Sequence, residues 1–148
     1  MNYHEQEEIT VNHPGYGPIS FNVDKEIKDI IINCFHWKFP TVLSCQGGNN
    51  ENVWIAFESF YDVKEMMQLI LTHNISINGQ GYVRETLFDY IVENVEFNVS
   101  FIDETIYDPN NEDTVIPTGR IEYDIGMRFP SEELEHFRKL FYEVFPLK

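Results

Sequence analysis

The chain has 148 residues and is 43% hydrophobic, which fits one domain with one core. Its formal net charge of −15 repels phosphate backbones and anionic membranes, so direct binding to nucleic acid or to a lipid surface is not expected. The chain lacks an apolar run of membrane-spanning length and an apolar signal-peptide stretch. We therefore expect a cytoplasmic protein with two free thiols, Cys34 and Cys45.

The first part of the chain predicts a weakly structured segment followed by a helix. Residues 1–23 are polar and interrupted by Pro and Gly, so they are expected to be irregular apart from two short strands, Ile9–Val11 and Ile19–Val23. Asp24 has the character of a helix N-cap. Apolar residues then recur at helical spacing, which predicts a helix that Pro40 ends.

The middle of the chain predicts a strand pair, a helix and a hairpin. The strands are expected near Thr41–Cys45 and Asn52–Glu58. A helix beginning at Asp62 is expected to end near Asn74, a residue that tolerates the left-handed conformation. Within Ile75–Val83, the Asn78-Gly79 dipeptide predicts a hairpin turn.

The last third predicts a helix, two long strands and a final helix. A short helix is expected within Arg84–Val92. Strict alternation of apolar and polar residues predicts antiparallel strands at Val95–Phe101 and Ile121–Phe129. The acidic segment Asp103–Thr118 between them is predicted to be a long connection, either disordered or functional. Ser131 is expected to cap the last helix.

Together these elements predict one α+β domain over residues 1–148. Two strand–loop–strand–helix units, Thr41–His73 and Asn94–Phe145, would form one antiparallel sheet with the helices on a single face. The other face would then be available for binding. Its candidate residues are Trp54, Glu96, Asn98, Ser100, Arg120, Glu122, Asp124 and Arg128.

The segment from Thr41 to Gly48 concentrates polar chemistry at the end of a strand. Ser44, Cys45 and Gln46 offer a hydroxyl, a thiol and an amide, and Gly47-Gly48 allows backbone N–H groups to converge on an anion. The chain lacks both familiar glycine-rich nucleotide loops. The sequence does not identify a base for Cys45, although His36 and His73 are possibilities. A binding protein is therefore expected rather than an enzyme, and a thiol enzyme stays an alternative.

Metal and cofactor sites are not expected from the sequence. The five histidines are scattered, and none stands at ligand spacing from another histidine or from a cysteine.

Two arginines complete the candidate site. Arg120 and Arg128 lie at even spacing along one predicted strand and emerge on the same face. They either pair across the strands with Glu96 or Glu122, or they bind an anionic ligand, for which the planar guanidinium is suited. The predicted ligand-binding residues are thus Thr41, Ser44, Cys45, Gln46, Gly47, Gly48, Trp54, Arg120 and Arg128.

The pattern Thr41-x-x-Ser44-Cys45-x-Gly47-Gly48 resembles a group of small phage and prophage proteins that share T-x-x-S-C-x-G-[GH]. This resemblance implies a phage or mobile-element origin, location in a bacterial host cell and a counter-defence role. The same residues are similar, more weakly, to the T-x-S-S-C-S-G-[RK] motif of the tRNA wybutosine-synthesising methyltransferases. That similarity implies methyl transfer, but Gly48 stands where the family has a basic residue.

Two functional hypotheses follow. In the first, a non-enzymatic anti-defence protein sequesters a small anionic, nucleotide-like ligand: the Ser44–Gly48 turn donates hydrogen bonds, Arg120 or Arg128 meets phosphate, and Trp54 or Tyr82 stacks on a base. In the second, an acidic inhibitor presents Glu5, Glu7, Glu8 and the Asp103–Asp113 segment to a basic host protein. An exposed aromatic strand, Val53–Phe57, would permit homo-oligomers in either case.

Overall fold

The computed structural model describes residues 4–48, 51–79, 81 and 84–147. Within these residues, four α-helices and two antiparallel sheets form a mixed α+β fold, as the sequence predicts. The strands are β1 (Gln6–His13), β2 (Gly17–Asp24), β3 (Thr41–Cys45), β4 (Asn52–Phe57), β5 (Glu96–Asp108) and β6 (Asn111–Pro130). The helices are α1 (Lys28–His36), α2 (Phe60–Asn78), α3 (Leu87–Asn94) and α4 (Leu134–Val144).

The larger sheet joins the two predicted units side by side. Its strand order is β3-β4-β6-β5, so each unit contributes one antiparallel hairpin, and β4 pairs with β6 where the units meet. Alternate residues of the central strands form one buried face of the sheet. These residues are Val53, Ile55, Phe57, Ile125, Met127 and Phe129.

The core between sheet and helices is rich in aromatic rings. Phe137 of α4 stacks on Phe129 of β6 with ring centroids 4.3 Å apart. Phe141 and Phe145 continue the aromatic row along the same helix and past its end. Asn33 of α1 donates a 2.6 Å hydrogen bond to the carbonyl of Phe145, which ties the first helix to the last. The aromatic contacts of α4 therefore fix β6 on the face of the sheet that carries the helices.

The N-terminal segment is more regular than the sequence predicts. β1 and β2 are eight-residue strands, paired from Gln6↔Asp24 to His13↔Gly17, and they form a sheet of their own. Ile9, Val11 and Val23 are buried in the common core. The regularity arises because α1 supplies an apolar surface for one face of the hairpin, a contact between segments that local sequence patterns do not reveal.

The predicted hairpin within Ile75–Val83 is wrong over its first residues, because α2 continues to Asn78. Asn74 does not end the helix: its Oδ1 atom accepts hydrogen bonds from Asn78 Nδ2 and from the hydroxyl of Thr86. These side-chain bonds hold the last turn of the helix in place. The later residues of the predicted hairpin, Gln80, Tyr82 and Val83, lie outside the described residues.

The acidic segment Asp103–Thr118 forms most of a strand pair, so the prediction of a long connection is wrong and so is its disordered alternative, while the functional alternative stays a prediction. β5 runs to Asp108 and β6 begins at Asn111, and the backbone N–H of Asn110 donates to Asp108 Oδ1 at the turn. β4 pairs with β6 only from Ile125 to Pro130. Beyond this pairing β5 and β6 continue as a two-stranded extension of the sheet. At ~3.3 Å per residue, Ser100 to Asp108 spans roughly 25 Å. We call residues 101–122 the ribbon.

Candidate functional site

The turn after β3 is held by hydrogen bonds within the chain. The backbone N–H of Gln46 donates to Asp24 Oδ2 at 2.9 Å, and that of Gly47 donates to Cys45 Sγ at 3.4 Å. Gly47 has a φ of +71°, and a Cβ there would lie 2.6 Å from the carbonyl oxygen of Asn52. Only glycine fits this position without displacing the backbone. Of the two N–H groups that the sequence suggests for an anion, those of Gly47 and Gly48, the first already has an acceptor, and so does the preceding N–H of Gln46.

Gly48 anchors the same turn to the last helix. Its carbonyl oxygen accepts a 2.5 Å hydrogen bond from the hydroxyl of Ser131 and a 3.1 Å bond from the N–H of Glu51. Ser131 therefore does not cap α4 as predicted, since its hydroxyl is used across the fold; it begins a 3₁₀ turn, Ser131–Glu133, before the helix. The turn thus has a structural role that joins the two units.

Asp24 is the centre of a polar cluster that the sequence does not predict. It is only 3% exposed and makes no side-chain cap for the following helix. Its Oδ1 accepts from Gln6 Nε2 at 3.1 Å, in addition to the bond from Gln46 N. The Gln46 side chain accepts from Glu26 N at 3.0 Å and contacts His4 Nδ1 at 3.4 Å. The cluster joins the beginning of β1 to the ends of β2 and β3.

Three donor groups of different chemistry meet in this cluster. One side-chain donor atom from each of His4, Asp24 and Cys45 lies within 4.8 Å of the other two. The residues are far apart in the sequence, so ligand spacing along the chain gives no signal for them. Only the pairing of β1 with β2, and the position of β3 beside them, brings them together.

The surroundings of the Cys45 thiol favour its protonated form. Partial burial raises its pKa, and the carboxylates of Asp24 and Glu51 raise it further, although the N–H of Gly47 acts in the opposite direction. Nucleophilic cysteines need the reverse environment, a nearby cation or a helix N-terminus that stabilises the thiolate. The carboxylates therefore disfavour the thiolate, and the thiol-enzyme alternative stays a prediction, for which the His4 imidazole within 4.8 Å is a candidate base.

Trp54 and Arg128 form a stacked pair on the sheet face opposite the helices. They are cross-strand partners, and the guanidinium carbon of Arg128 lies 5.8 Å from the Trp54 ring centroid, a cation–π geometry. Gly126 makes room for the indole, since a Cβ there would lie 2.8 Å from Trp54 Nε1. Glu96 is the other cross-strand partner of Arg128, but no carboxylate of the described residues lies within 4 Å of the guanidinium.

The other predicted ligand-binding residues lie elsewhere. Arg120 is eight residues before Arg128 on the same strand, which at ~3.3 Å per residue separates them by roughly 25 Å. Thr41 is buried at the opposite end of β3 from Cys45. Ser44 and Thr41 line a cleft of about 390 Å³ between β2 and β3. One small ligand would not reach all the predicted residues, and Tyr82 lies outside the described residues.

The ribbon has an exposed apolar surface, which the sequence does not predict for this acidic segment. Phe101 is 74% exposed, Tyr107 72% and Ile121 68%. Ile106 pairs with Ile116, and the adjacent pair is Tyr107 with Val115. Since adjacent residues of a strand point to opposite faces, apolar side chains are exposed on both faces. The ribbon also carries six acidic residues and one arginine.

Comparisons with known proteins do not identify a relative of this chain. No family model matches the chain, and neither curated proteins nor solved structures yield a match. Among the described residues, none of the helices combines the length and the hydropathy that a transmembrane span requires.

Proposed function

We propose that this protein works by binding another protein, and that the ribbon is the binding element. The observation that carries the proposal is the exposure of apolar side chains on both faces of the ribbon. An isolated two-stranded hairpin is marginally stable in water, and contiguous exposed apolar side chains are typical of interaction surfaces. A partner that covers one or both faces would bury them.

The charge of the ribbon favours a basic partner over a second copy of the chain. Asp103, Glu112 and Asp113 are exposed, within a chain of net charge −15. Two copies would bring acidic ribbons together, whereas a basic surface would be attracted and steered into contact. Together with the phage resemblance, this favours an inhibitor of a basic host protein, such as a nuclease or DNA-binding protein of a defence system.

The first experiment measures capture of bacterial lysate proteins by the immobilised protein at low and high salt. One variant removes charge from the ribbon and one removes apolar contacts. The charge variant is Asp103→Asn, Glu112→Gln and Asp113→Asn; the apolar variant is Tyr107→Ser with Ile116→Thr. We expect one or more basic proteins to be retained at low salt, released at high salt and lost with both variants, because charge steers the contact and apolar burial completes it.

A matched control separates the ribbon from the charge of the whole chain. Glu65→Gln, Glu93→Gln and Glu132→Gln change the net charge by the same amount at exposed positions outside the ribbon. The control should retain the captured protein. Equal loss with the control and the ribbon variants, or the absence of a basic protein that depends on the ribbon, would contradict the proposal.

A second candidate function is sequestration of a small anionic, nucleotide-like ligand. The observation that favours it is the Trp54–Arg128 pair, an aromatic ring and an exposed guanidinium on the face without helices. A base would stack on the indole and a phosphate would meet the guanidinium. Such a ligand would bind in the immediate surroundings of Arg128. The N–H groups of Gln46 and Gly47 already have acceptors within the chain, and Arg120 is too far from Arg128 to contact the same small molecule.

The test is the melting temperature of the protein with cyclic di- and trinucleotides and with ADP-ribose isomers. A ligand that binds the native state raises the melting temperature as its concentration rises. We expect Arg128→Gln to abolish the shift and Arg120→Gln, the matched arginine on the same strand, to retain it. No shift with any compound of the panel would remove this candidate and leave the protein-binding proposal untouched.

A further inference from the structure

We propose that His4, Asp24 and Cys45 bind a divalent transition-metal ion, for which Zn²⁺ is the best chemical fit. The three donor atoms lie within 4.8 Å of one another, although they come from the segment before β1, the end of β2 and the end of β3. This site is separate from the ribbon, so the inference does not depend on the proposed function.

The chemistry of the three donors selects the metal. Thiolate and imidazole favour Zn²⁺ and its neighbours over Mg²⁺ and Ca²⁺, which prefer oxygen ligands, and a carboxylate is an accepted third zinc ligand. Bound at ~2.0–2.3 Å in a tetrahedron, such donors lie ~3.3–3.8 Å apart, so a contraction of about 1 Å closes the site. Three protein ligands leave a fourth position, which water occupies in many zinc sites.

Hydrogen bonds around the cluster already orient two of the three ligands, Asp24 and Cys45. Asp24 accepts from Gln6 Nε2 and from Gln46 N, and Cys45 Sγ accepts from Gly47 N. Such outer bonds orient metal ligands and raise affinity. His4 is different, because the Gln46 oxygen accepts from Glu26 N and the Gln46 amide nitrogen therefore donates to His4 Nδ1; when a metal binds, this contact opens or the imidazole changes tautomer. An ion held here would tie three strand ends together, so metal binding should also stabilise the fold.

The experiment uses the untagged full chain and titrates it with Co²⁺, a spectroscopic substitute for Zn²⁺. We expect one equivalent of Co²⁺ to produce the near-ultraviolet charge-transfer absorption of a cobalt–thiolate bond, Zn²⁺ to displace it, and Zn²⁺ but not Mg²⁺ to raise the melting temperature. Absence of the cobalt–thiolate absorption in the wild-type protein would overturn the proposal without any variant.

Variants then identify the ligands. Cys45→Ser and His4→Gln should each weaken Co²⁺ binding at least tenfold, since outer-shell losses alone cost about 10–100-fold. His36→Gln, at an exposed histidine on α1, is the matched control and should bind as the wild type does. If Cys45→Ser does not fold, as judged by circular dichroism, His4→Gln decides, because His4 lies at the edge of the fold. Unchanged binding in His4→Gln would overturn the assignment of this ligand set.

Discussion

At the residue scale, burial gives the two cysteines different chemistry. Cys34 lies on the apolar side of α1, is 0% exposed, and has its pKa raised to about 12 by burial. Cys45 is partly exposed and lies beside a carboxylate and an imidazole. The apolar spacing of α1 predicts the first environment, because Cys34 falls within the helical stripe. The second environment depends on residues from other strands, and the sequence does not indicate it.

Cys34 makes the stability of the protein sensitive to alkaline pH. Above the ordinary thiol pKa of ~8.5 the unfolded chain loses this proton, while the folded chain keeps it until about pH 12. The unfolded state therefore binds fewer protons, and the free energy of unfolding falls as pH rises, by about 1.4 kcal/mol per pH unit for this group. Urea unfolding between about pH 8 and pH 10 measures the slope.

The comparison for this prediction is Cys34→Ala, which should be less stable than the wild type near neutral pH but show a shallower alkaline slope. The slope, and not the absolute stability, is the readout, because the smaller side chain also leaves a cavity. Cys45→Ala is the control: because Cys34 is unchanged in it, the contribution of Cys34 to the alkaline fall in the free energy of unfolding should remain. Identical slopes in the wild type and Cys34→Ala would show that Cys34 does not resist ionisation in the folded state.

At the element scale, α4 and the ribbon place the same residue type in opposite surroundings. Phe137 of α4 is 1% exposed and stacks on Phe129, with Phe141 at 5.7 Å between ring centroids on its other side. Phe101 of the ribbon is 74% exposed. Both segments show clear apolar periodicity, so periodicity alone predicts burial for both. The difference arises because Phe137 packs against the part of β6 that pairs with β4, whereas the ribbon lies beyond that pairing.

We therefore expect Phe137→Ala to destabilise the fold by about 3–5 kcal/mol, because it removes stacked rings and leaves a cavity in the core. Phe101→Ala should change stability by no more than about 0.5 kcal/mol, as is usual at exposed positions. Urea unfolding of the three proteins under identical conditions measures both changes. A large loss in Phe101→Ala would mean that the ribbon is packed in the free protein, and it would weaken the protein-binding proposal.

At the scale of the whole molecule, charge and shape combine into one surface. Several cations are already paired, as in Lys28 with Glu7 and Arg84 with Glu143, so excess acidic residues dominate the field. The ribbon extends that field away from the core and adds apolar side chains to it. A basic partner would first be attracted over a long range by the acidic field and would then bury the apolar side chains on contact. Electrostatic attraction of this kind speeds association.

The sequence by itself determines the local elements and the charge of this protein. Period-two alternation predicts the start of β5 and the end of β6, at Val95–Phe101 and Ile121–Phe129. The helical stripe predicts α1, and glycines predict the turn between β3 and β4, since each pattern acts over a few neighbouring residues. Tertiary structure decides the rest. The His4–Asp24–Cys45 cluster, the exposure of the ribbon and the length of α2 depend on which distant segments pack together, and such packing has no local signature in the chain.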